Sequence, residues 1–98
     1  MEGLNGLEQA VLDKLLLGDH PILVTLRNQM RGARLVKREH TGVGFYCLFE
    51  VSAESQAVEG KGDFEIDDVN GEMHGLVHGA GFVLFIRDGR LNMLEGFS

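Results

Sequence analysis

Apolar residues in the first third of the chain recur at helical spacing. Leu4, Leu7, Val11 and Leu15 fall three or four apart, and Leu12 and Leu16 widen the stripe, which predicts an amphipathic helix. Asn5 is placed to cap its start, with Glu8 three residues on in a capping-box arrangement. Gly18 is placed to end it in the left-handed conformation. After Asp19-His20-Pro21 a second stripe begins, made of Ile22, Leu23, Leu26 and Met30. Proline suits a first helical turn, where its missing N–H would be unpaired anyway. His20 reads as part of the interhelical turn and Gly32 as the second stop. Helices joined this closely must fold back on each other or turn sharply.

From Arg34 onward the period changes to two. Val43, Phe45, Cys47, Phe49 and Val51 alternate with Gly44, Tyr46, Leu48, Glu50 and Ser52, which predicts a strand with one apolar face. A weaker strand over about 35–40 precedes it, and Thr41-Gly42 turns the chain between them. Residues 53–62 read as a mobile connection. Phe64 and Ile66 mark a short strand; residues 71–78 read as another, bounded by Gly71 and a Gly79-Ala80-Gly81 turn. Next, Phe82-Val83-Leu84-Phe85-Ile86 leads into Asp88-Gly89, and Leu91-Asn92-Met93-Leu94 returns. Asp-Gly between apolar runs favours a two-residue type I′ turn with positive φ at both central positions. That turn sets Arg87 opposite Arg90, Ile86 opposite Leu91 and Leu84 opposite Met93, with Leu94 across from Val83.

Strand 82–86 is thereby apolar on both faces. The helices can cover one. The other needs the sheet to curl into a half-barrel or a second copy to cover it, since bare aliphatic and aromatic side chains forfeit about 1.5–3 kcal/mol each. The expectation is one α+β domain spanning 1–98: two N-terminal helices packed on a twisted antiparallel sheet of five or six strands, half-barrel curling left open. A two-fold homodimer is the favoured assembly. Phe45, Phe49, Phe82, Leu84, Phe85 and Met93 would supply core or interface.

The chain has 98 residues, 44% of them hydrophobic and 24% charged, ordinary for one globular domain. Fifteen acids against nine bases leave a net charge of −6. This argues against general nucleic-acid binding, which needs a cationic surface, and against anionic lipid. The distribution is uneven. Arg27, Arg31, Arg34, Lys37 and Arg38 hold five of the nine bases, whereas eight acids and one base lie between Glu50 and Glu72. Arg27, Arg31 and Arg34 lie near one face of the second helix, but two or three cations on an acidic body make a poor nucleic-acid reader. No run of about 18 apolar residues is present to span a membrane, and the N-terminus, with Glu2 and no basic stretch, does not resemble a signal peptide. A cytoplasmic location is expected.

Candidate chemistry is sparse. The single cysteine, Cys47, lies in an apolar run with no neighbouring base and is expected to be a buried, inert thiol. Glu72, His74 and His78 would share one face of a strand and are the residues to consider for a metal. Along an extended strand, however, the two histidines stand about 13 Å apart, too far for one ion without a bend. No cofactor is expected. Asp67 and Asp68 point to opposite faces of a strand and do not pair for acid–base work, and Asp68-Val69-Asn70-Gly71 reads as a turn. The glycines of 75–81 lack the strand–loop–helix setting and the Gly-Lys-Ser/Thr ending of a phosphate loop.

The stretch Gly79-Ala80-Gly81-Phe82-Val83-Leu84-Phe85-Ile86-Arg87-Asp88-Gly89, followed by Leu91-Asn92-Met93-Leu94-Glu95-Gly96-Phe97, resembles a family of small uncharacterised bacterial proteins similar to products of mobile, integron-type gene cassettes. Gly18 to Pro21 and Thr41 to Phe45 are similar to further segments of that family. The resemblance implies a compact α+β fold and self-association, and brings no activity or catalytic residue. Its members continue past Leu-Glu-Gly-Tyr with a further Gly and Pro, where this sequence has Phe97-Ser98.

The leading expectation is a non-enzymatic, self-associating protein that binds a protein or small ligand. A small metal-dependent hydrolase using Glu72, His74 and His78 is the alternative from another class. A third is an immunity or antitoxin protein whose acids Glu59, Asp63, Glu65, Asp67 and Asp68 mask a basic toxin.

Overall fold

A computed structural model describes residues 3–42, 44–60, 62–68 and 81–97. Two helices, α1 (Gly6–Leu15) and α2 (Pro21–Met30), precede five strands: β1 (Arg34–His40), β2 (Gly44–Glu50), β3 (Phe64–Asp68), β4 (Gly81–Arg87) and β5 (Arg90–Phe97). The strands form one antiparallel sheet in the order β1-β2-β5-β4-β3. It has two edges and is not closed into a barrel. The expected sixth strand at 71–78 and the turns at 68–71 and 79–81 lie largely outside the described residues.

Both helices start as their sequences dictate. The Asn5 side chain accepts from the Glu8 N–H at 2.9 Å, and the Asn5 N–H donates back to Glu8 Oε1 at 3.0 Å, a complete capping box. His20 is more than a turn residue: its Nδ1 accepts the Ile22 N–H at 3.1 Å and caps α2, with Pro21 in the first turn. Gly18 does take a positive φ of 130°. The carbonyls just past α1 are met by a side chain: Arg27 donates to Leu16 O and, at 2.8 Å, to Gly18 O.

The helical stripes meet the inner face of the sheet. Val11, Leu12, Leu16 and Leu26 are fully buried against Cys47, Leu84, Ile86 and Leu94, with Phe49 and Phe82 nearly so. Phe45 packs against this core from its margin. Its ring occupies the space above Gly96, where an added Cβ would come within 2.4 Å of it, and tilts against Phe82 at 6.3 Å between centroids. Gly96 pairs with both Phe45 and Phe82, so its missing side chain lets the two rings meet.

The β4–β5 turn has positive φ at both Asp88 (53°) and Gly89 (72°), as a type I′ turn requires. Arg87 faces Arg90 and Ile86 faces Leu91 as expected, but beyond them the register departs from the simple count. The ladder shifts between Phe85 and Ile86, so Asn92 on β5 has no partner. Leu84 therefore pairs with Leu94 and not Met93, while Val83 pairs with Glu95 and not Leu94. The physical reason is a bulge, in which two residues of one strand oppose one of the other. It restores the parity of β5, so that Leu91 and Leu94, three apart, both reach the core. A similar shift on β1 skips Val36, which is 57% exposed.

The described residues of 53–62, a segment expected to be mobile, are fastened to the β4–β5 turn. Val58 is buried and donates its N–H to Gly89 O at 2.9 Å, while Gly89 N–H donates to Gly62 O at 2.7 Å. Arg90 holds the carbonyls of Ala53 and Ser55, each at 3.1 Å. Buried Gln29 of α2 completes the clasp. Its amide nitrogen donates to Gln56 O and Gly89 O, both at 2.9 Å, and its oxygen accepts the Leu91 N–H at 3.0 Å.

Candidate functional site

Three parts of the molecule could carry chemistry or binding. The first is buried between α1 and the sheet. Glu8 is 1% exposed, and its carboxylate accepts from Arg38 Nε at 2.7 Å, Arg38 Nη2 at 2.5 Å and Cys47 Sγ at 3.3 Å. Burial pushes its pKa up, but the bonds from Arg38, Asn5 and Cys47 outweigh that and hold it below the ordinary carboxylate value. Burial, reinforced by the adjacent Glu8 carboxylate, pushes the Cys47 thiol up to about 12. A thiol so disposed is no nucleophile at neutral pH. Cys47 does have charged neighbours, contrary to its sequence surroundings: Glu8 adds to burial in keeping it protonated, and Arg38 opposes this more weakly. This triad is structural.

The second is the basic cluster 27–38, which does not form one surface. Arg27 is held by the carbonyls of Leu16 and Gly18, just past α1. Arg34 bridges Glu50 at 2.8 Å, and Arg38 is tied to Glu8. Lys37 pairs with Glu39 at 3.2 Å. Arg31 remains on the rim of a shallow groove of about 440 Å³ between the helices, which is also lined by Asp13 and Asn28.

The third is the outer face of the sheet. Inward positions along β4 are Phe82, Leu84 and Ile86, so Val83, Phe85 and Arg87 point away from the helices. The register aligns them with outward residues of the other strands in two rows. One reads Lys37, Leu48, Met93, Phe85, Glu65 from edge to edge; the next reads Glu39, Tyr46, Glu95, Val83, Asp67. Tyr46, Leu48, Val83, Phe85 and Met93 are only half-buried, and among the described residues no element lies across them. Arg87 stacks over the Phe85 ring at 5.2 Å, and the Tyr46 hydroxyl donates to Glu39. The six residues expected at core or interface thus divide. Phe49, Phe82 and Leu84 are core, Phe45 flanks it, and Phe85 and Met93 lie on the open face.

Glu72, His74 and His78 lie outside the described residues. Among the described residues no three His, Cys, Asp or Glu side chains are grouped to hold a metal ion, and no helix is long and apolar enough to cross a membrane. Asp67 and Asp68 are adjacent on β3 and pair with Val83 and Phe82 respectively. Sequence reasoning missed Gln29 and the Glu8–Arg38 pair, since nothing in a helical or strand period marks a polar partner from a distant element. Comparison with protein-family models, with curated proteins and with solved structures gave no match.

Proposed function

We propose that this chain is a non-enzymatic interaction protein that associates with a second copy of itself through the outer face of its sheet. The row Lys37, Leu48, Met93, Phe85, Glu65 carries the reading. It runs cation, three apolar residues, anion. A two-fold axis along the central strand turns the row end for end, placing Lys37 over Glu65 of the partner subunit and apolar on apolar between them. Such self-complementarity is what an isologous interface requires. Five strands at about 4.8 Å spacing, with some seven residues at about 3.3 Å each, give a face on the order of 500 Å² per copy. Two copies reach the lower end of specific interfaces, about 1,000 Å² in total. The expected dimer is therefore weak, in the micromolar range or above.

Sedimentation velocity between about 1 and 500 μM tests this. Wild type should move from monomer to dimer across the range, and Phe85→Glu should stay monomeric with an unchanged circular dichroism spectrum. A wild type that is monomeric throughout, whatever the salt, would refute the reading.

A further inference from the structure

Resting on that reading, we infer that Glu95 is an electrostatic brake on self-association, so that the dimer tightens when its charge is screened or removed. Glu95 stands on β5, the central strand, between Tyr46 of β2 and Val83 of β4. It is half-buried, and among the described residues it has no hydrogen-bond or ion-pair partner. The outward positions of β1 hold Arg34, Lys37 and Glu39, but Arg34 is engaged by Glu50 of β2 and Lys37 by Glu39, both at the β1 edge of the sheet and away from β5. β3 adds Glu65 and Asp67, and Arg87 of β4 sits over Phe85, two residues along from Val83. Among the described residues no cation on this face makes an ion pair with Glu95.

A two-fold axis along β5 packs this face on itself with the central strand over its own copy. With sheets about 10 Å apart, a residue of the central strand meets its own copy near the axis. For the axis along the strands, Glu95 faces Glu95 of the partner subunit, while Glu39 faces Asp67 of the partner subunit. One row of the face thus favours pairing and the adjacent row opposes it. Like charges desolvated at the centre of an interface are strongly unfavourable, whereas those at a solvated rim matter little. The central pair therefore dominates the opposing row.

The test compares wild type, Glu95→Gln and Phe85→Glu by sedimentation equilibrium in about 0.05 M and about 0.5 M NaCl, where the screening length falls several-fold. Glu95→Gln should dimerise at least 10-fold more tightly than wild type in low salt. Raising the salt should tighten wild type several-fold and Glu95→Gln much less. Unchanged or weaker dimerisation of Glu95→Gln, with Phe85→Glu still monomeric, would overturn the role of Glu95 and leave the dimer reading standing. If Glu95→Gln and wild type both stay monomeric in both salts, the dimer reading falls, and the brake with it.

Discussion

The Glu8–Arg38 pair gives a pH-dependent prediction. Glu8→Gln preserves volume, and an amide at the third helical position can still close the capping box with Asn5. What it removes is charge. Hydrogen bonds to charged groups contribute about 1.5–3 kcal/mol against about 0.5–1.5 for neutral ones. Losing one partner of a fully buried pair costs about 3–5 kcal/mol, but the Arg38 side chain is 31% exposed and its freed guanidinium can hydrate. The expected loss at pH 7 is therefore about 2 kcal/mol. With a urea slope of about 1–1.5 kcal/mol per molar for a domain this small, the midpoint should fall by about 1.5 M. The pH dependence has a definite sign. Glu8 holds its pKa below the ordinary value in the folded state, so its stabilisation is fully present above the unfolded carboxylate value of about 4.3. It is lost as the pH falls through the lower folded value. Urea curves of both proteins at pH 7, 5, 4 and 3 should show a gap that is constant between pH 7 and 5 and narrows towards pH 3. A gap that stays at its full size at pH 3 would mean that the charge of Glu8 does not hold α1 to β1.

Three other substitutions or treatments probe the remaining fastenings. Gln29→Leu should cost about 2–3 kcal/mol, because it strands the buried Leu91 N–H; hydrogen exchange should show that amide losing protection first, and an unchanged protection pattern would contradict the clasp. Gly89→Ala places a Cβ 2.7 Å from Val58 O at a φ of 72°, so it should destabilise by more than about 1 kcal/mol and release Val58; proteolysis within 53–62 reports that release. Cys47 should resist alkylation at pH 8 in the native protein and react fully in denaturant; rapid native labelling would refute a thiol held protonated by burial and by Glu8.

The legible part of the fold is local. The capping box at Asn5 and Glu8 reads directly, because both partners lie three residues apart. Alternation through Phe45, Cys47 and Phe49 identifies the core face of β2, and Asp88-Gly89 identifies the turn. The run 82–86 is apolar at every position, so both faces of β4 must be apolar, and Phe85 is a candidate for an interface on that ground alone.

Tertiary structure decided what no single period encodes. The bulge at Asn92 shifted every pair beyond it by one and brought Glu95, not Leu94, opposite Val83. A turn type sets register only where the ladder stays regular, and a bulge depends on which residues the core on the far side can accept. The order β1-β2-β5-β4-β3 then carried the C-terminal strand to the centre. That placement joined Lys37, Leu48, Met93, Phe85 and Glu65 into one row, though each lies on a different strand and they are far apart in the chain. The same packing committed Arg27, Arg34 and Arg38 to partners distant in sequence. Local patterning is encoded by neighbours and can be read from them; charge pairing and surface composition depend on long-range closure, where distant segments compete for the same space and the same hydrogen bonds.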